Sequence, residues 1–221
     1  LRRCGLRSHS LLVDITNYVL LALGQPMHAF DLDQLQGDLS VRMSTAGEPL
    51  KLLNEQQVTL DDDTLLICDA RGAVAVAGVM GGFDGRVTYQ TQNIFLESAF
   101  FAPLAIAGRA RRYGLHTDAS QRYERGVDYQ LPVLALEYAT QLIMQYAGGQ
   151  VGAVVLAERA VDLPVRAAIH LTLAQTSRLL GFDVSAEFVV DSLQRLGMQV
   201  SGDAAGWTVI PPSHRFDLSI A

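Results

Sequence analysis

Between residues 13 and 31 the chain changes its periodicity once, and that change limits what the first part of the fold can become. Val13, Tyr18, Leu20, Leu21 and Leu23 fall at helical spacing, and Asp14 is placed to cap the helix. Gly24 and Pro26 then stop it, because glycine readily takes the left-handed turn that closes a helix and proline cannot continue one. The spacing predicts a helix ending near Leu23, with His28 just past its end on a turn that presents the side chain. Thr16 and Asn17 lie back on that helix as polar neighbours. A lone histidine so placed is either a packed loop residue bonded to backbone or part of a site, and the residues alone leave both readings open.

The remainder reads as short elements separated by turn residues. Residues 31–37 form a short capped turn of helix ended by glycine, and 39–43 alternate like a strand. Apolar runs follow at 50–53, 58–60, 65–68 and 73–79. The last is rich in small residues and valine and ends in Gly81-Gly82, where the backbone can approach another group closely. Neither a Walker-type phosphate loop nor GxGxxG before a helix is present, so the choice lies between a tight ligand wall and a plain hairpin turn. Glu97 interrupts the apolar strand 93–101; it must face solvent on the alternate side, find a partner or take up a raised pKa. Residues 103–113 read as one helix ended by Gly114, 115–126 as a polar loop and 131–146 as an amphipathic helix.

Composition shifts near residues 158–164. Beyond it come a strand at 167–171, a helix at 173–180, a second helix capped by Ser185 and running to 196, and strands at 198–201 and 207–210. The expected fold class is therefore α+β: a larger mixed α/β-sheet domain over 1–160, then a small helix-helix-hairpin, winged-helix-like domain over 164–221. The chain starts at Leu1 and stops soon after Pro211-Pro212, which suggests a piece of a longer protein.

A net charge of −6 argues against sequence-independent nucleic-acid binding by the chain as a whole, since such binding rests on phosphate neutralisation. The cations are clustered, however: Arg109, Arg111, Arg112, Arg122 and Arg125 crowd one segment, while Lys51 is the only lysine. Arginine favours bidentate contacts with phosphate or carboxylate. The competing reading pairs these arginines with Asp118, Glu124 and Asp128. Asp61, Asp62 and Asp63 read as a solvated turn, and no zinc-type spacing involves Cys4 or Cys68, so no metal is expected. No apolar run nears the roughly 20 residues of a membrane span, and no signal-peptide pattern opens the chain. The expectation is a soluble, cytoplasmic protein with no membrane partner.

Five motifs occur in order: Val13-Asp-Ile-Thr-Asn-Tyr18 with Gly24-Gln-Pro-Met-His-Ala-Phe-Asp31, Gly78-Val-Met-Gly-Gly82, Leu96-Glu-Ser-Ala99, Thr117-Asp-Ala-Ser120, and Arg122-Tyr-Glu-Arg-Gly-Val-Asp128. Together they resemble the beta subunit of bacterial phenylalanyl-tRNA synthetase. Residues 1–160 resemble its B3/B4 editing region. Residues 164–221 resemble the start of its B5 domain, through Leu179-Leu-Gly181, Leu196-Gly197 and Pro212-Ser-His-Arg-Phe-Asp217. The resemblance implies a ligase whose aminoacylation site lies in the separate alpha subunit, with this region hydrolysing tyrosine misattached to tRNA(Phe). It implies that Glu97 accepts the tyrosine hydroxyl, that His28 serves as the catalytic residue at the ester or its attacking water, and that Gly81, Thr117 and Ala119 wall the pocket, with Asn17 and Thr16 nearby. Arg109, Arg112 and Arg122 would contact tRNA. The implied partners are the alpha subunit, in a heterotetramer of two alpha and two beta chains, and tRNA(Phe); ATP and magnesium belong to the whole synthetase and no cofactor to this region. The alternative is a non-catalytic scaffold that contacts tRNA or the partner subunit.

Overall fold

The computed structural model describes residues 1–218, so the last three residues of the unit expected over 164–221 lie outside the described residues. The chain divides into two compact units, Leu1–Val155 and Leu156–Ala221.

In the first unit, α1 (Leu11–Leu23) begins at Ser10, whose hydroxyl accepts the Val13 N–H, and ends at Gly24 in the left-handed conformation, φ 80°. Asp14 is not the cap. It lies in the first turn, where its carboxylate accepts from the Ser8 hydroxyl and the His9 N–H. Only Gln25 and Pro26 separate the helix stop from strand β1 (Met27–Asp31), so His28 stands on a strand rather than on a presenting turn. The physical reason is pairing: β1 runs antiparallel to β8 (Ile94–Ser98), and this ribbon takes up backbone groups that a turn would leave to solvent.

Strands β2 (Ser40–Met43), β5 (Leu65–Cys68), β6 (Ala73–Val76) and β7 (Met80–Gly81) form an antiparallel sheet in the order β2-β5-β6-β7, and β3 (Pro49–Lys51) pairs with β4 (Gln57–Thr59). The largest core gathers Phe30, Leu52, Leu60, Leu66, Val76, Ile106 and Tyr123. Phe30 is wholly buried, which contributes about 1.5–3 kcal/mol relative to leaving it in water. A second cluster joins α1 to α5 (Pro132–Tyr146) through Ile15, Val19, Ala135 and Ala139.

The sequence between β8 and α5 folds differently from its reading. The single helix expected over 103–113 is two short ones, α2 (Pro103–Ile106) and α3 (Arg109–Arg112), because Gly108 turns left-handed between them at φ 77°. Part of the expected loop at 115–126 is α4 (Asp118–Tyr123). It is nucleated by a reciprocal capping box between Thr117 and Ser120.

In the second unit, β9 (Ile169–Leu171), β10 (Gln199–Asp203) and β11 (Gly206–Ile210) form an antiparallel sheet in the order β10-β11-β9. Helices α6 (Leu173–Leu180) and α7 (Ala186–Arg195) are capped by Thr172 and Ser185. The core of this unit is Val189, Trp207 and Val209.

Candidate active site

The β1–β8 ribbon determines which side chains meet. Its register sets His28 directly opposite Glu97, and residues opposite one another in an antiparallel pair project from the same face. The reverse face carries Leu96 against the α1–α5 layer. The ribbon is therefore anchored on one side and open on the other.

On the open side lies a small cleft, about 380 Å³ of space when counted out into open solvent. Pro26, Met27 and His28 line it from the start of β1 and the residue before it, Glu97 from β8, Ile67, Ala75 and Val76 from the sheet, Gly78 to Gly81 from the turn into β7, and Ala119 and Tyr123 from α4. Apart from the histidine, the carboxylate and the phenol, its side chains are apolar.

Gly81 lies flat against the His28 ring. A Cβ there would come closer than 3.0 Å to Cε1 and Nε2, so the missing methyl is what lets the imidazole lie where it does. Phe30 braces the ring edge-on at 4.4 Å between centroids. Nε2 of His28 is buried without a hydrogen-bond partner, and desolvation lowers the pKa of the ring to about 4. It is a neutral imidazole near pH 7. Glu97 keeps some surface open to the cleft but is crowded by protein elsewhere. Desolvation raises its pKa to about 7, and no cation pairs with it among the described residues. Burial, and next the nearby Glu97 charge, push the Tyr123 phenol well above its usual range, so it stays protonated.

His28, Gly81, Glu97 and Ala119 thus converge on one cleft. Thr117 does not line it. Its hydroxyl donates to Val79 O at 2.9 Å while capping α4, which ties that helix to the glycine-bearing turn. Thr16 and Asn17 are likewise outside the lining: Thr16 is buried in α1 with its hydroxyl on Val13 O, and Asn17 is half-buried on the same helix.

Four of the five clustered arginines are engaged within the fold. Arg122 pairs with Asp118 and Arg125 with Glu124, as the competing reading has it, but Arg109 and Arg112 reach back to Asp63 and Asp61. Asp128 instead accepts the Gln130 N–H. The acidic turn at 61–63 is an anchor for α3.

Sequence reasoning missed Tyr123, Met80 and the Gln25–Pro26 corner. The signal for the corner was legible: a glutamine directly before a proline, three residues from His28, at a point where the strand pairing must stop.

Comparison with known proteins agrees with this assembly of motifs. The family model of the B3/4 domain matches residues 1–148, and that of the tRNA synthetase B5 domain matches residues 169–221. The chain is 58% identical over 217 residues to the phenylalanine–tRNA ligase beta subunit of Acinetobacter baylyi, covering 98% of this chain and 27% of that protein. It is 56% identical over 220 residues to the same subunit of Xanthomonas oryzae, covering all of this chain and 28% of that one. It therefore spans little more than a quarter of the length of these relatives. Among solved structures, an N-terminal fragment of the phenylalanyl-tRNA synthetase beta subunit from Pyrococcus horikoshii aligns over 94% of this chain and 61% of that one, with 12% identity and a TM-score of 0.42.

Proposed function

Since the chain belongs to the B3/4 domain family, in the form carried by beta subunits of phenylalanine–tRNA ligase, we propose that its cleft is an editing site hydrolysing the tyrosyl ester of mischarged tRNA(Phe). The observation that carries the reading is the pairing of His28 and Glu97 across the ribbon, at the polar end of an otherwise apolar cleft.

Selectivity follows from desolvation. A phenylalanyl ring leaves the Glu97 carboxyl buried and unpaired, whereas a tyrosyl hydroxyl donates to it. A site built around a hydrogen bond to a hydroxyl rejects the analogue lacking it by about four powers of ten or more. With its pKa near 7, Glu97 is partly neutral in the empty cleft and becomes a full acceptor as the phenol arrives. The apolar wall from Val76 to Ala119 takes the ring.

Hydrolysis joins a water oxygen to the ester carbonyl carbon and breaks the bond to the ribose oxygen, which leaves with a proton. An imidazole lowered to about 4 is a weak base at neutral pH, so His28 works as a wall that positions the ester in the cleft rather than by taking a proton from the water. The adjacent ribose hydroxyl relays the proton. The backbone N–H of Gly81, which lines the cleft, is the candidate donor for the oxyanion, since that of Gly82 is held by Val74 O at 2.7 Å. The residues present do not fit a magnesium ion: among the described residues no three His, Cys, Asp or Glu side chains converge, and Asp61 and Asp63 are held by arginines. ATP and magnesium belong to the charging reaction of the whole synthetase, whose alpha subunit and tRNA(Phe) are the partners. No helix among the described residues is long and apolar enough to cross a membrane, and the proposed setting is cytoplasmic.

The test is Glu97→Ala in the complete synthetase. Deacylation of Tyr-tRNA(Phe) should fall by at least about a hundredfold while phenylalanine charging is kept. Unchanged deacylation would remove the cleft from the reaction.

A further inference from the structure

The β1–β8 ladder stops at a rung it cannot make. Its register pairs Met27 with Ser98, so the next pair outward is Pro26 and Ala99. Proline has no N–H to give, and the Ala99 carbonyl loses its ladder donor there. The side chain of Gln25 takes that place. It is wholly buried, and its Nε2 donates to Ala99 O at 2.8 Å and to Pro26 O at 3.0 Å, with the Tyr123 hydroxyl at 3.3 Å. The Tyr123 hydroxyl closes the same knot, lying 3.0 Å from Ala99 O and 3.2 Å from Pro26 O. The two carbonyls fix the orientation of the amide. Turning it over would set Oε1 against them, and so Oε1 stays buried without a partner. A buried polar atom left orphaned is retained where its other half does something specific.

We propose that Gln25 is a positioning residue for the editing reaction: with Tyr123 it supplies the missing rung at the end of the ribbon and so fixes the spacing of His28 and Glu97, two rungs further in. This rests on the reading of the cleft given above. The clamp spans three walls of the cleft at once, since Pro26 directly precedes β1, Ala99 follows β8, and Tyr123 ends α4. Loosening it lets β1 and β8 splay at their pocket end, so the Glu97 carboxyl no longer meets a phenol whose ester lies at His28.

The experiment uses the complete synthetase and follows deacylation of Tyr-tRNA(Phe) and Phe-tRNA(Phe) by wild type, Gln25→Met, Tyr123→Phe and the double variant. Methionine keeps the length of glutamine without its hydrogen bonds, and phenylalanine keeps the ring. Misplacement of reacting groups by less than 1 Å predicts that each single variant lowers the tyrosyl-to-phenylalanyl ratio of kcat/KM by about tenfold. The double variant should be no worse than the poorer single one, because both break the same knot. A residue that merely supports the fold would lower thermal stability, or slow both esters alike, and leave the ratio intact. Wild-type selectivity in Gln25→Met overturns the clamp, as does selectivity kept in Tyr123→Phe should Gln25→Met fail to fold. A wild type without tyrosyl preference overturns the editing assignment itself, and the clamp with it.

Discussion

Replacing Gly81 by alanine adds one methyl group, and the structure says where that methyl goes. Gly81 is outside the left-handed region, so alanine brings no backbone strain, and the whole cost lies in the new contact. The added Cβ would be closer than 3.0 Å to two atoms of the His28 ring, whereas ordinary contact begins at 3.4 Å. The ring must therefore retreat by at least about 0.4 Å, the gap between those limits. It has nowhere easy to go, because Phe30 packs edge-on against it and is itself wholly buried. Overpacking of this kind costs about 1–3 kcal/mol. For a unit of this size that lowers Tm by about 2–4 °C per kcal/mol. Displacing His28 should also slow Tyr-tRNA(Phe) deacylation by about tenfold or more, since sub-ångström errors in placement are felt at this scale. The assay is thermal unfolding alongside deacylation, for Gly81→Ala, His28→Ala and the double variant. The three atoms nearest the methyl all belong to the imidazole, so the stability penalty of Gly81→Ala should disappear in the His28→Ala background. Wild-type stability and wild-type deacylation in Gly81→Ala would refute the contact. So would a penalty that persists in full after the ring is gone.

Two further outcomes are expected. The Glu97 pKa, about 7 against 4.5 for a free glutamate, means that the folded chain holds a proton which the unfolded chain gives up between those values, so this group's contribution to stability is full below pH 4.5 and lost by pH 7. Stability of Glu97→Gln minus that of wild type should therefore rise with pH across this window by on the order of 3 kcal/mol, as read by denaturant unfolding at stepped pH; a flat difference would contradict the desolvated carboxyl. His28, lowered to about 4, contributes with the opposite slope between pH 4 and 6.5, but it is present in both proteins and drops out of the difference. Thr117→Ala removes the cap on the Ser120 N–H and the bond to Val79 O, and should cost about 1–2 kcal/mol. Hydrogen exchange at the Ser120 amide should accelerate in step, and unchanged protection there would contradict the capping geometry.

Much of the fold was legible because its signals are local. The glycine stop after Leu23, the Ser185 cap, and the helix, strand and hairpin order of the second unit all follow from short-range chemistry. The errors have the same origin. Asp14 and Ser10 are both good capping residues, and only the backbone of the incoming chain decides between them. Gly108 inside a helical pattern reads as a tolerated glycine until its φ is known. His28 was placed on a turn because β1 exists only through its pairing with β8, a partner 69 residues away at Glu97 that no local pattern reveals. The same non-local pairing makes the site. Glu97 was conspicuous as a charge among apolar residues, yet its alignment with His28 is a property of register. Arg109 and Arg112 show the converse: their clustering was plain, but their partners Asp61 and Asp63 lie across the fold.

The ribbon has chemistry on one side and structural support on the other, and this couples two properties usually treated apart. Leu96 sits between Glu97 and the paired helices, whose contacts come from small and medium residues such as Ala135, Ala139 and Val19. Slight softening of that layer, by warmth or by a substitution far from the cleft, would reach the pocket as slack before it reached the fold as collapse. Under the proposed function, a cell carrying such a variant would keep its protein output and lose its accuracy, with tyrosine appearing in place of phenylalanine as the earliest sign of a weakening core.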